Sequence, residues 1–352
     1  MTPSPAPTVS VVMAAYNGAA LTGETLDSLW AQSFADFEIV VVDDCSTDDT
    51  REVLAAVRDP RLRVIHADEN GGPVRSRNRA VTEARGRYLA GLDQDDICLP
   101  HRFARQVAYL DAHPDIALVG ASANILEDGA VSAHAKAAVT TPRLIEWLLL
   151  IENPLVWSTA MIRRAALPAG EFTRPDYRYA EDFDLYHRLA RHGGIARIDE
   201  PLLLYRRHGG GASQRYTETM QANATRVLAE RYTDEGVALP DAKARLIVRH
   251  LMEGEAVPDA ATLAEIGALL TGLQAHFLAT RPIDDENLRL IRWETALRWG
   301  KMVRTALKAG TVSIGQAAGI RPDHLGLGYT RLDELLMAGL RGSAKAKRGR
   351  AA

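Results

Sequence analysis

Cysteine is nearly missing from this chain: Cys45 and Cys98 are the only two among 352 residues. Two thiols cannot build a disulfide framework, and they suit a reducing cytosol. Long apolar runs are missing as well. The most lipid-like stretch, LIEWLLLI from Leu144 to Ile151, is far too short to span a bilayer and carries Glu146. The first residues, MTPSPAPTVS, have neither the basic start nor the apolar stretch of a secretory signal. A cytoplasmic protein is therefore expected, resting at most on the inner face of a membrane. Net charge is only −3, so no global field draws the chain to nucleic acid or anionic lipid. Two nucleotide signatures are also absent. The segment after the first apolar run reads AAYNGAALTG rather than G-x-G-x-x-G, and no G-x-x-x-x-G-K-[ST] occurs. Both facts speak against a dinucleotide-dependent oxidoreductase and a P-loop NTPase. No repeat of fixed period is present.

What is present is an ordinary globular composition, 47% hydrophobic and 25% charged. The length allows one large domain with an appendage, or two domains. The first half alternates strand and helix signals, the pattern of an α/β sheet with parallel strands. Apolar runs at Val9 to Met13, Ile39 to Val42, Leu62 to Ile65, Arg87 to Leu92 and Ile116 to Val119 read as strands. Leu26, Leu29 and Trp30 share a helix face, as do Phe103, Val107 and Leu110. Gly86 is expected to end the helix that begins near Val74. Further on, Ser158 to Ile162 and Leu202 to Tyr205 read as strands, and Glu181 to Arg191 as a helix. From about Ser213 the signals are helical: Tyr216–Tyr232, Ala242–Met252, Ala260–Ala279, Glu286–Ala309 and Tyr329–Leu340. The glycines at 209–211 suggest a linker.

Acidic clusters stand where apolar strands stop, and open α/β sheets bind ligands at the carboxyl ends of their strands. Asp93-Gln94-Asp95-Asp96 follows the fourth strand. Closely spaced carboxylates there form a hard-oxygen site for magnesium or manganese, or else a solvated acidic turn; the preceding buried strand favours the first. Asp43-Asp44 ends the second strand, where a carboxylate can accept from a ribose hydroxyl or a base N–H, or cap a helix. In NGGPVRSRNRA, the helix start and Arg75, Arg77 and Arg79 favour phosphate. Arg75 and Arg79 share a face there, whereas Arg77 points elsewhere. Glu181-Asp182 in YAEDFDLYHRLA is either a general base or simple N-terminal stabilisation of a helix. His208 in LYRRHGGG is weak evidence by itself.

Taken in order, VSVVMAAYNG, ETLDSLWAQSFADFEIVVVDDCSTDDT, NGGPVRSRNRAVTEARGRYLAGLDQDD, YAEDFDLYHRLA and LYRRHGGGAS resemble the family 2 inverting glycosyltransferases of the GT-A fold. The resemblance spans about residues 8 to 213. It implies a Rossmann-like, mostly parallel sheet flanked by helices over residues 1–212. A helical C-terminal region over 213–340 and a basic, disordered tail over 341–352 would follow. The implied activity moves a hexosyl or N-acetylhexosaminyl group from a nucleotide-sugar, preferably a UDP-sugar, to an acceptor hydroxyl. The acceptor would be a glycan or a lipid-linked glycan in cell-surface polysaccharide synthesis. The resemblance further implies that Asp44, Ala14 and Tyr16 line the nucleotide pocket, joined at the donor by Arg75, Asp93 and Gln94. Asp95 and His208 would hold Mn2+ or Mg2+, and Asp182 would be the catalytic base. Trp157 and Glu181 would lie on the acceptor side, with Trp157 either stacking on a sugar or serving as core. Ala14 stands where many relatives carry Pro or Thr, which leaves the base preference open. The C-terminal helices have no family-wide counterpart.

Two other readings share some of these features. A sugar nucleotidyltransferase would present a glycine-rich, Arg/Lys-containing loop after the first strand, and would release pyrophosphate from a nucleoside triphosphate. A non-catalytic nucleotide-sugar binder would use the helical region to dock a partner, but would not need Asp95, Asp182 and His208 together. The tail carries Arg341, Lys345, Lys347, Arg348 and Arg350 without an acid. It is either a solubilising end or a contact for anionic lipid.

Overall fold

The computed structural model describes residues 6–133, 139–209, 215–322 and 338. The expected helix Tyr329–Leu340 (Ala338 apart), the basic tail and most of the glycine linker fall outside these residues. The chain divides into two compact units. One takes Met1–Ile145 and Pro154–Asn223, the other Glu146–Asn153 and Ala224–Ala352.

The first unit is built on a nine-stranded sheet. Its strands are β1 (Val9–Ala15), β2 (Phe37–Asp43), β3 (Leu62–His66), β4 (Tyr88–Gly91), β5 (Ile97–Cys98), β6 (Ile116–Glu127), β7 (Ala130–Ala133), β8 (Met161–Arg163) and β9 (Gly194–Arg207). The order is β3-β2-β1-β4-β8-β6-β9-β5, with β7 paired to β6. β3, β2, β1 and β4 run parallel, and β6 also pairs in parallel with β9. β8 is antiparallel to both β4 and β6. β1, β2 and β4 are buried, while the edge strand β3 is partly exposed; the strands are accompanied by α1 (Ala19–Trp30), α2 (Thr50–Ala56), α3 (Gly72–Glu83) and α4 (Arg102–Ala112). This explains why β1 and β2 read as continuous apolar runs rather than alternating ones. β1 lies between β2 and β4, so the direction of strand addition reverses there. Such a switch point opens a crevice at the carboxyl ends of the strands.

Local details differ from the sequence pattern for physical reasons. α3 ends at Glu83 without help from Gly86. Gly86 is required by proximity instead: a Cβ there would stand 2.5 Å from the Ser10 nitrogen. Its N–H donates to Ser10 Oγ at 2.7 Å. The strand expected at Ser158 to Ile162 is a single 3₁₀ turn, Trp157–Thr159, followed by β8. Side chains of α4 add hydrogen bonds to carbonyls on and around this irregular backbone. The fully buried Arg102 donates to the carbonyls of Gly91 (2.9 Å) and Ala160 (3.2 Å). Gln106 donates to those of Val119 (3.0 Å) and Thr159 (2.7 Å). Buried carbonyls are costly when unpaired, so two polar side chains on an otherwise apolar helix face stabilise the sheet's switch to antiparallel pairing.

After α5 (Pro142–Leu148) and α6 (Glu181–Leu189) come α7 (Thr217–Asp234), α8 (Pro240–Ile247), α9 (Ala260–Thr280), α10 (Asp285–Ala309) and α11 (Ile314–Ile320). Asp259 and Asp284 cap α9 and α10 by accepting from Thr262 N–H and Asn287 N–H. Ser313 and Gln316 form a reciprocal capping box on α11. The apolar stretch around residue 150 belongs to this helical unit. Trp147 Nε1 donates to Thr295 Oγ1 at 2.9 Å, and its ring meets Phe277 edge-on. The Tyr232 hydroxyl donates to the Leu150 carbonyl, and Arg298 pairs with Glu152 at 2.6 Å. Among the described residues no helix is long and apolar enough to cross a membrane.

Candidate functional site

The carboxyl ends of β1, β2 and β4 bring the acidic segments together with α3. Asp43, the last residue of β2, is wholly buried. Its carboxylate accepts from Ser46 N–H, from Arg51 Nε at 2.7 Å, and lies 3.1 Å from His66 Nδ1. Burial alone would raise this carboxyl, but the hydrogen bonds from Ser46, His66 and Arg51 hold it below its ordinary value. Asp43 is therefore a structural brace at the end of the strand.

Asp44 turns towards α3. One oxygen accepts from Gly71 N–H (3.0 Å) and Ser76 Oγ (2.8 Å), the other from Gly72 N–H (2.8 Å). The first amides of α3, which the sequence suggested for phosphate, are thus occupied by a carboxylate of the chain itself. Gly72 adopts φ +82°, a backbone that suits glycine. Beside Asp44 lies a cleft of about 290 Å³, lined by Val42, Asp44, Ala67, Asp68, Glu69, Arg75, Ser76 and Arg79. Arg75 is exposed at its mouth and pairs with Glu69 at 2.6 Å.

Gln94 is engaged with the backbone of Tyr16. Its amide oxygen accepts from Tyr16 N–H and its amide nitrogen donates to the Tyr16 carbonyl, each at 2.9 Å. The side chain thereby pins the loop after β1, next to Ala14 and Tyr16, to the turn after β4. Gly18 leaves the room for this, because a Cβ there would collide with the Gln94 amide. Gln94→Ala is expected to cost about 1–3 kcal/mol through two lost hydrogen bonds. A denaturant midpoint unchanged from wild type would show that the loop is held by something else.

The acidic turn itself is held from β9. Arg206 N–H donates to Asp96 Oδ1 (2.9 Å), its Nε to the Asp95 carbonyl (2.8 Å), and its Nη2 to Glu24 (2.6 Å). His208, two residues on, places Nε2 2.8 Å from Asp95 Oδ2. Burial, and then the charge of Asp93, push the Asp95 carboxyl above its ordinary value, with His208 opposing them. Asp96 is almost wholly buried and is pushed up further, by burial and by Asp95 and Asp93. Asp95 and His208 offer one carboxylate oxygen and one imidazole nitrogen side by side. Among the described residues no three His, Cys, Asp or Glu side chains form a metal-binding group. Two protein donors suit a magnesium- or manganese-type ion that takes its other oxygens from phosphate and water, so this donor set fits such an ion.

Behind Asp93 the structure assembles a network that the sequence pattern missed. Arg77 donates to Asp93 Oδ1 at 2.6 Å and to Glu181 Oε1 in a shorter contact. Its guanidinium lies 4.9 Å from the Trp157 ring centre. Burial works against the Arg77 charge, but Asp93 and Glu181 outweigh it and raise its pKa. The available signal was the spacing of Val74, Arg77 and Val81, which puts Arg77 on the buried face of α3. Trp157 is 6% exposed. One face meets Arg77 and its ring meets Phe172 edge-on, so it is a floor beneath the site. Ser158 Oγ accepts from Asp93 N–H at 3.0 Å, a contact that the 3₁₀ turn makes available.

α6 brings three acids in its first turn. Glu181 is committed to Arg77, and Asp184 to Arg174 and Arg188. Asp182 is half-buried, and Oδ1 accepts from Phe183 N–H at 2.7 Å. The structure therefore draws Asp93, Arg77 and Glu181 into one connected group, with Asp182 next in the chain, and pairs Asp95 with His208. Ala14 and Tyr16 stand at the carboxyl end of β1, and Asp44 and Arg75 line the neighbouring cleft.

Comparison with known proteins points the same way. The model of "Glycosyl transferase family 2" matches residues 10–169. An uncharacterized glycosyltransferase of Haemophilus influenzae is 30% identical over 238 residues, 64% of this chain and 74% of the relative. The succinoglycan biosynthesis protein ExoO of Rhizobium meliloti is 45% identical over 106 residues, 30% of each chain. Among solved structures, S. aureus TarS 1–349 in complex with UDP-GlcNAc is 20% identical, with a TM-score of 0.50. The match covers 83% of this chain and 92% of that one, and is a likeness of fold.

Proposed function

The chain belongs to glycosyl transferase family 2, and from that premise we propose that it is an inverting, metal-assisted transferase. It moves a sugar from a UDP-sugar to an acceptor hydroxyl in polysaccharide synthesis. The observation that carries this reading is the 2.8 Å approach of Asp95 to His208 beside the Arg77–Asp93–Glu181 network. The UDP-GlcNAc bound by TarS and the succinoglycan role of ExoO support the donor and product classes.

In this reading the nucleobase enters the cleft beside Asp44, whose carboxylate lies in its wall. Tyr16 and Ala14 border the nucleoside. Asp95 and His208 would hold the Mn2+ or Mg2+, which when bound neutralises charge on the diphosphate. Asp93, fixed by Arg77 and by Ser158, orients the donor's ribose or sugar hydroxyls. Asp182 Oδ2 takes the proton from the acceptor hydroxyl as that oxygen attacks the anomeric carbon opposite the leaving diphosphate. A new C–O bond forms as the old one breaks, so a single displacement inverts the anomeric centre and needs no enzyme nucleophile. The buried Cys98 and the partly buried Cys45 take no part.

The donor half is tested by calorimetric titration of UDP with Mn2+ or with EDTA. Asp95→Ala is expected to weaken binding in Mn2+ by about 10–100-fold and to leave binding in EDTA unchanged. An affinity indifferent to both the metal and the substitution would remove the metal site.

A further inference from the structure

An aromatic pair stands immediately before the Glu181-Asp182 step, and the reaction outlined above makes no use of it. Tyr179 and Tyr216 stack with ring centres 4.3 Å apart and planes inclined by only 9°. Tyr216 is 42% exposed, and Tyr179 is half-buried beneath it. Burial, and then the hydrogen bond with the Tyr216 hydroxyl, pushes the Tyr179 phenol up to about 12. Tyr179 also holds φ at +69°, a left-handed backbone that is uncommon for a bulky residue. The surroundings fix that conformation. The Arg178 carbonyl accepts from Asn223 Nδ2 at 2.9 Å, Ala180 N–H donates to the Tyr177 carbonyl, and the Arg178 guanidinium lies 5.0 Å from the Tyr179 ring centre.

The position of the pair matters. Tyr179 is three residues from Asp182, so their Cα atoms are at most about 11 Å apart. On the other side, the Arg178 guanidinium comes within 3.2 Å of where a Gly72 Cβ would stand, and Gly72 N–H is bonded to Asp44. The segment that carries Tyr179 therefore runs from the Arg178–Gly72 approach to the first turn of α6, which holds the proposed base. Trp157 cannot supply such a surface, because it is buried with a face turned to Arg77.

We propose that the Tyr179–Tyr216 stack is a carbohydrate subsite, the platform on which the acceptor's hexopyranose ring lies while its hydroxyl faces Asp182. The proposal rests on the transferase reading for the identity of its ligand as acceptor. The physical basis is the ring quadrupole: the polarised C–H face of a pyranose meets the negative face of an aromatic ring. Two rings already stacked present that face with little ordering left to lose on binding.

The test is saturation-transfer NMR on the full chain with UDP and Mn2+ present, using methyl glucoside, galactoside and N-acetylglucosaminide as probes. Wild type is expected to transfer saturation to the ring C–H protons of at least one glycoside. Tyr216→Ala should weaken that contact by about 2–12-fold, while Tyr216→Phe and Tyr216→Trp retain it. UDP titration of each variant separates the two readings. If UDP binds and the glycoside signal ignores Tyr216, or no glycoside gives a signal with wild type, the platform is overturned and the transferase reading stands. If UDP fails to bind while the Tyr216-dependent contact persists, the transferase reading fails and the sugar subsite stands.

Discussion

Asp182→Asn is expected to lower donor turnover by about 10²–10⁴-fold, the range that a positioned general base contributes, while UDP binding stays at the wild-type level. The substitution is nearly isosteric, and the amide oxygen can still accept from Phe183 N–H as Oδ1 does now. What is lost is the capacity to take a proton. The other acids of the first turn do not compensate, since Glu181 is engaged by Arg77 and Asp184 by two arginines. Slow hydrolysis of a UDP-sugar, with water standing in for the acceptor hydroxyl, provides the readout without knowledge of the natural acceptor. Calorimetry with UDP provides the binding control. Hydrolysis at the wild-type rate in Asp182→Asn would remove this residue as the base.

Arg77→Met is expected to be among the most destabilising single changes in the first unit. Removing the guanidinium strands the buried Glu181 and takes the cation from Asp93. Glu181 Oε2 already lacks a hydrogen-bond partner in the structure, so its charge has little else to rely on. Breaking a buried ion pair on one side costs about 3–5 kcal/mol. Restoring neutrality should recover part of that loss, so Arg77→Met with Glu181→Gln is expected to be more stable than Arg77→Met alone. Denaturant midpoints of the two single variants and the double variant measure the coupling. Strict additivity would show that Arg77 and Glu181 are not coupled, and an Arg77→Met midpoint equal to wild type would show that the network contributes nothing to stability.

The parallel half of the sheet was legible because strands buried on both faces need uninterrupted apolar runs, and Val9 to Met13 and Ile39 to Val42 provide them. The acids at their ends were legible for the complementary reason: carboxylates break those runs. The antiparallel half was much less so. β8 is three residues long, and the backbone just before it is tied to α4 by Arg102 and Gln106, polar residues that a helix-face pattern assigns to solvent. Gly86 shows a related failure. Its position after a helix suggested a cap, whereas the close approach to Ser10 is what requires it.

Periodicity and residue chemistry alone determined an α/β sheet with acids along its carboxyl rim. The ordered motifs determined the family and brought forward Asp44, Asp95, Asp182 and His208. Only the tertiary structure decided how those residues are employed. It turned Asp44 onto the first amides of α3, committed Gln94 to the backbone of Tyr16, and buried Trp157 beneath Arg77. It also joined Arg77, Asp93 and Glu181 across as many as 104 positions of sequence. The physical reason is that burial of an apolar run is a property of neighbouring residues, readable along the chain. The partner of a charge is whichever group the fold brings within about 3 Å, and that distance exists only once the strands have been ordered.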